Sequence, residues 1–152
     1  MSELTIRPAT RDDVLSLVGR VVNGQADILS LMREHVENGD VNIDEEVAQC
    51  AANGSVVAAW GVFPTVPGVA TAWALFTPEA SKYALRILRA TKFHVEHIGR
   101  EVLGLQRIEA AVDPTNDSEL RWALMVGLRP VDVLTDFGPF RKSYLLLTKE
   151  WA

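Results

Sequence analysis

Val69-Ala70-Thr71-Ala72-Trp73-Ala74-Leu75-Phe76-Thr77-Pro78-Glu79-Ala80-Ser81-Lys82-Tyr83-Ala84-Leu85-Arg86 changes character at Thr77. Up to Phe76 the stretch is an apolar run of strand length. From Thr77 it reads as a helix start, with Thr77 as N-cap, Pro78 at the first helical position and Glu79 in the first turn. The helix then predicts a buried stripe of Ala80, Ala84, Ile87, Leu88, Thr91, Val95 and Ile98. Lys82, Arg86, Arg89, Glu96 and Arg100 fall on another face. Gly104 is its expected C-cap. Upstream, residues 55–63 are rich in Val, Ala and Trp and read as a strand; the rigid turn at 64–68 makes a β-hairpin of the two. Downstream, residues 105–112 form a strand with Ile108, Ala110 and Val112 on one side and Arg107, Glu109 and Ala111 on the other. After the loop Asp113-Pro114-Thr115-Asn116, a helix starts at Asp117 or Ser118 and ends at Gly127. Two strands, 131–137 and 143–148, close the chain around Gly138-Pro139-Phe140.

The N-terminal third has helical periodicity. Residues 4–7 alternate as a short strand that Pro8 ends, and Thr10 with Asp13 three positions on makes a capping box. Val14, Leu17, Val18, Val21 and Val22 follow at helical spacing. After Asn23-Gly24 a second amphipathic stretch runs through Ile28, Leu31, Met32, His35 and Val36, and Asn38-Gly39-Asp40 closes it. A shorter helix is expected over 44–52, stopped by Asn53-Gly54. The order is strand, two helices, short helix, hairpin, long helix, strand, helix, hairpin, which is an α+β sandwich with a mixed sheet.

The chain has 152 residues, 48% of them hydrophobic, and a net charge of -5. The length fits one domain, residues 1–152. The negative charge argues against binding nucleic acid by neutralising phosphates. No apolar run approaches the roughly 20 residues of a membrane span, and the N-terminus has no export signal. The single Cys50 fits a reducing compartment, so a cytoplasmic location is expected. Charge is uneven: residues 1–50 hold ten acidic side chains against Arg7, Arg11, Arg20 and Arg33, whereas 82–107 carry Lys82, Arg86, Arg89, Lys92, Arg100 and Arg107 against Glu96 and Glu101. His94 and His97, three apart, are expected to be solvated, His35 half buried, and Cys50, Trp60, Trp73 and Trp122 to be core.

Three stretches carry a family resemblance. Leu4-Thr5-Ile6-Arg7-Pro8-Ala9-Thr10-Arg11-Asp12-Asp13 resembles the common start of the GNAT superfamily of N-acetyltransferases: a strand, Arg-Pro-Ala-Thr, two residues and Asp. Asn116-Asp117-Ser118-Glu119-Leu120-Arg121-Trp122-Ala123-Leu124-Met125-Val126-Gly127-Leu128 resembles the family's later motif, in which an Asn is followed eleven positions on by Gly and then an apolar or aromatic residue. The strand-turn-helix from Trp73 to Leu88 stands where the family has its acetyl-CoA loop. With the element order, the resemblance spans nearly the whole chain and looks closest to short GNAT-like proteins of tailed phages. It implies a three-layer α/β/α sandwich around a central mixed, mostly antiparallel twisted sheet. It also implies an acetyl-CoA-dependent N-acetyltransferase, with the primary amine of a small molecule or protein lysine attacking the thioester in a ternary complex. The alternative it implies is a catalytically inactive phage protein that binds a host protein or belongs to the virion. The expected partners are coenzyme A and an amine-bearing small molecule or host protein, without nucleic acid or membrane; a homodimer is left open. If the chain is phage-encoded, its cytoplasm is the host's.

The resemblance also assigns residues. A pantetheine arm has amides that can extend a strand whose neighbour has splayed away, and a pyrophosphate needs backbone N–H groups and a helix start. Trp73, Leu75 and Phe76 on the strand, Ser81, Lys82 and Arg86 beyond it, and Asn116 are the implied cofactor-binding set. In the family this loop reads Gln/Arg-x-x-Gly-x-Gly/Ala; here Pro78 to Arg86 contains no glycine, and Glu79 competes with an anion for the helix end. Many family members place a Tyr general acid seven positions after the Asn, where this chain has Ala123. Tyr144 is the candidate acid in its stead, and Glu109 and Asp113 are the candidate bases. The plainer reading of Glu109 is a solvent-facing strand carboxylate paired with Arg107 or a neighbour.

Overall fold

The structure is a computed structural model that describes residues 3–21, 48–137 and 142–151. Seven strands form one sheet: β1 (Thr5–Pro8), β2 (Ala48–Ala52), β3 (Val56–Val66), β4 (Val69–Phe76), β5 (Arg107–Val112), β6 (Arg129–Phe137) and β7 (Lys142–Glu150). Their order is β1-β2-β3-β4-β5-β7-β6. Every neighbouring pair is antiparallel except β4 and β5, so the sheet is mixed. Among the described residues the α-helices are α1 (Arg11–Leu15), α2 (Ala84–His97) and α3 (Asp117–Met125), with a 3-10 segment (Pro78–Tyr83) leading into α2 and a π-helical turn (Ile98–Val102) continuing it.

The strands' period of two divides the apolar side chains between the two faces. On one face Ala9, Val14 and Leu17 pack with Cys50, Ala59, Trp73 and Leu75. On the other, Ile87 and Ala80 at one side and Trp122, Ala123 and Val126 at the other pack on Trp60, Ala74, Ala110, Val112 and Leu147. The result is the α/β/α sandwich expected, with α1 on one face and α2 and α3 on the other. Trp60, Trp73 and Trp122 are buried, as is Cys50, whose thiol burial pushes up to about 11.

Several elements differ from the sequence reading. Residues 48–52 are a strand, not the end of a helix: β2 is clamped between β1 and β3, and that pairing overrides the helix preference of its alanines. Pro8 ends β1 as expected, being its last residue, on a strand at the edge of the described sheet. The expected turn at 64–68 is shorter, since β3 runs on to Val66 and the reversal falls on Pro67 and Gly68, the latter at φ 81°. The long helix does not begin at Pro78; Tyr83 ends a 3-10 turn and α2 begins at Ala84, which is exposed. His94 is buried beside Thr91 and Val95, whereas His97 is exposed and stacks on Phe93. The second amphipathic stretch, with His35, and the 138–141 connection lie outside the described residues, and no helix among those described is long and apolar enough to cross a membrane.

Two local devices fix the ends of the sandwich. At the start of α1 the Thr10 side chain accepts from the Asp13 N–H while the Asp13 carboxylate accepts from the Thr10 N–H at 2.7 Å, closing the expected capping box. Arg7 adds a two-pronged contact to Asp13 at 2.7 and 2.8 Å. These bonds, led by the one from Arg7, pull the Asp13 carboxyl down to about 2. At the opposite end, Trp151 lies against Gly99, where any Cβ would overlap the indole. The Trp151 ring N–H donates to Glu96 at 3.0 Å and Lys149 reaches the same carboxylate at 2.7 Å. Burial alone would raise the Glu96 pKa, but these donors outweigh it and the net direction is down.

Asp13 is more acidic folded than unfolded, so its contribution is present above pH ~4 and disappears as pH falls toward 2. Asp13→Asn is expected to cost about 1 kcal/mol at pH 7, an amount limited by the partly exposed Arg7. In urea denaturation the gap to wild type should close between pH 4 and 2. Gly99→Ala is expected to cost roughly 1–3 kcal/mol by overpacking. Adding Trp151→Ala should make the pair non-additive, because removing the indole gives the new methyl room, and a double-mutant cycle reads this directly.

Candidate functional site

The site begins where two strands separate. β4 and β5 share only three register pairs, Val69 with Arg107, Ala70 with Ile108 and Thr71 with Glu109. Beyond them β4 stays with β3 as far as Phe76, while β5 stays with β7 as far as Val112. Two antiparallel ribbons therefore fan apart from one short parallel seam. On the α2/α3 face the fan opens into a cavity of about 300 Å³. Phe76, Thr77 and Pro78 form its floor, Ala80, Ser81, Ala84, Leu85, Ile87 and Leu88 one wall, and Ser118, Arg121, Trp122 and Met125 the other. Phe76 and Trp122 meet edge to face across it, with ring centroids 5.9 Å apart. Leu85 and Met125 are 67% and 47% exposed, so apolar side chains line the mouth as well as the interior. An open, mostly apolar cleft with a few polar groups is the usual form of a small-molecule site.

The turn at the cavity floor is tightly closed. Thr77 has the backbone angles of an N-cap, yet its hydroxyl makes no cap; both it and the Thr77 N–H donate to the Val57 carbonyl, at 2.8 and 2.9 Å. The Ala80 N–H donates to the Thr77 carbonyl at 3.0 Å and the Ser81 hydroxyl to the Pro78 carbonyl at 2.9 Å. Asn53 Nδ2 reaches both the Glu79 carboxylate, at 2.8 Å, and the Tyr83 hydroxyl, at 3.1 Å. The sequence reading missed this anchoring because Asn53 and Glu79 are 26 residues apart.

Of the implied cofactor-binding residues, Phe76 and Ser81 line the cavity. Trp73 and Leu75 point their side chains into the opposite core with α1, so only their backbone faces the fan. Lys82 and Arg86 are exposed and are not part of the lining. Asn116 caps α3: its side-chain oxygen accepts from the Glu119 N–H at 3.2 Å and its amide donates to the Glu119 carboxylate at 3.1 Å, both residues being buried. Ala84, Leu85, Leu88, Ser118, Arg121 and Met125 were not among the candidates. Their signal was that α2 and α3 carry more apolar side chains than one buried stripe requires.

The candidate catalytic residues sit elsewhere on the sheet. Glu109 is opposite Thr148 in the β5–β7 ladder and faces the α1 side, with its carboxylate 2.7 Å from Arg107. Asp113 follows the last residue of β5 and accepts from both the N–H and the hydroxyl of Thr115, at 2.9 and 2.7 Å. Tyr144 is buried on β7, one residue beyond the Leu145 that pairs with Val112, which places it level with Asp113. The structure thus brings Asp113 and Tyr144 to one end of the ladder, while Glu109 lies four residues away, about 13 Å along the strand. The cavity is on one face and the carboxylates on the other, and none of Glu109, Asp113 and Tyr144 lines the cavity.

The fold is that of GNAT-family acetyltransferases. A GNAT-family acetyltransferase from Bacillus anthracis superposes with a TM-score of 0.67 over 99% of this chain and 96% of its own, at 14% identity. Ard1 from Thermoplasma volcanium gives 0.66 over 98% of each chain at 17% identity. A variant of the spermidine N-acetyltransferase of Vibrio cholerae gives 0.61 over 97% and 93% at 12% identity. No family model matches the sequence, and no curated protein is similar to it. At these identities the likeness establishes the shared architecture.

Asn116→Ala removes the cap of α3 and is expected to cost about 1–2 kcal/mol, read as a lower urea midpoint, with Asn116→Ser retaining part of the loss.

Proposed function

We propose that the protein is an acetyl-CoA-dependent N-acetyltransferase, built as one domain over residues 1–152, that acts on a primary amine. The single observation that carries this reading is the apolar cavity at the fan of β4 and β5. Such a cleft suits a pantetheine arm: Phe76, Leu88, Trp122 and Met125 supply apolar contact, and Ser81 and Ser118 supply hydroxyls. An arm lying there directs its thioester through the fan toward the α1 face, where Glu109, Asp113 and Tyr144 stand.

In this reading the amine attacks the thioester carbonyl directly. A backbone N–H of β4 between Trp73 and Phe76 polarises the oxyanion, because a fixed donor strengthens as charge develops. Asp113, or Glu109 once released from Arg107, takes the proton of an amine whose pKa lies near 10, and Tyr144 gives one to the departing thiolate. Asp113 suits the role of base better, since it shares the ladder end with Tyr144 whereas Glu109 is engaged with Arg107. The acceptor is a small amine or a protein lysine. A cytoplasmic location and a phage origin are part of the proposal, as is the possibility of a homodimer.

A second reading is supported by the closed turn beneath the cavity: a coenzyme-binding protein without turnover that modulates a host protein or sits in a virion. Thermal melting tests both. At a hundredfold excess over its Kd, acetyl-CoA should add about 2.7 kcal/mol of stability. No shift at millimolar acetyl-CoA ends the enzyme reading, and a shift without acetylation of any amine selects the second. If the enzyme reading holds, Asp113→Asn should lower kcat about 100-fold or more with little change in the melting shift, measured by thiol release.

A further inference from the structure

We infer that Arg121 receives the anionic, phosphate-bearing end of the thioester ligand, a task the turn between β4 and α2 is built to refuse. This rests on the coenzyme reading above. Phosphate held by a strand-to-helix turn needs free N–H groups and a local positive field. Here Pro78 has no N–H, the Thr77 and Ala80 N–H groups donate to the Val57 and Thr77 carbonyls, and the Thr77 and Ser81 hydroxyls donate to carbonyls as well. The Glu79 carboxylate, held by Asn53 at 2.8 Å, adds like charge at the place an anion would occupy. The 3-10 winding of six residues also postpones the start of α2 to Ala84.

Across the cavity the chemistry is reversed. Arg121 is the one charged residue in the lining. Among the described residues it makes no hydrogen bond or ion pair, and it is exposed and so placed at the cavity rim. Ser118, three residues earlier, lies on the same face of α3 and also lines the cavity. A guanidinium presents a planar fork of donors that fits a phosphate with two parallel hydrogen bonds, which a lone ammonium does not. An elongated ligand with an apolar arm between Leu88 and Trp122 therefore ends against Arg121.

The test compares acetyl-CoA with S-acetylpantetheine, which keeps the arm and thioester but lacks the phosphates. Calorimetric titration of the full chain should show wild type binding acetyl-CoA more tightly. Arg121→Gln should lose about tenfold for acetyl-CoA while changing S-acetylpantetheine less than about twofold, with Arg121→Lys intermediate. Lys92→Gln, the same change of net charge on the outer surface of α2, should stay within about twofold for both. Wild type that binds neither ligand ends the coenzyme reading and this inference with it. If wild type binds acetyl-CoA, the reading stands, and three results overturn the Arg121 assignment alone. They are an unchanged Arg121→Gln affinity, an equal loss for both ligands, and a loss confined to Lys82→Gln and Arg86→Gln.

Discussion

The parallel seam between β4 and β5 is the constraint on which the rest of the molecule depends. It is three residue pairs long, and each strand is then committed to a different antiparallel partner. Antiparallel ladders are slightly more stable per residue than parallel ones, and a sheet twists as it extends. With β3 holding β4 and β7 holding β5 along most of their lengths, the twist between the ribbons concentrates at their one weak junction. The helices pack on the ribbons through buried side chains such as Ile87 of α2 and Ala123 of α3, both fully committed to the core. The cavity is what remains between them.

Much of this was legible in the sequence. The bounds of β4, the capping box of Thr10 and Asp13, and the inward side of β5 rest on local signals, and local physics decides them. Residues 48–52 show the opposite case, since a Gln-Cys-Ala-Ala run prefers helix alone and becomes strand only between two neighbours far away in sequence. The start of the long helix failed for a related reason. Thr77-Pro78-Glu79 has the residues of an α-helix N-terminus, but the Thr77 hydroxyl has a stronger claim on it from Val57, twenty residues away.

The candidate site was legible in position and poorly in membership. The strand-turn-helix pointed to the crevice where the cavity lies, and Phe76 and Ser81 line it. Lys82 and Arg86 were attractive because charge near a turn suggests phosphate, yet in the folded chain both are exposed and outside the cavity lining. Arg121 had no such prominence in the sequence, since one arginine on an amphipathic helix is ordinary. Only the meeting of α2 and α3 across the cavity, a long-range contact, puts it on the cavity rim.

The latch of Trp151 has a consequence for motion. Its backbone N–H donates to the Gln106 carbonyl at 3.0 Å, and the Gln106 and Arg107 N–H groups donate to Gly68 at 2.8 and 3.1 Å, so the chain's last strand, the hairpin tip and the foot of β5 are knotted together beside the seam. The same indole is wedged on Gly99, two residues past the end of α2. The fan is thus a clothes-peg with its spring at one end: breathing of the two ribbons is confined to the jaws, by Phe76 and Asp113, while the hinge stays shut.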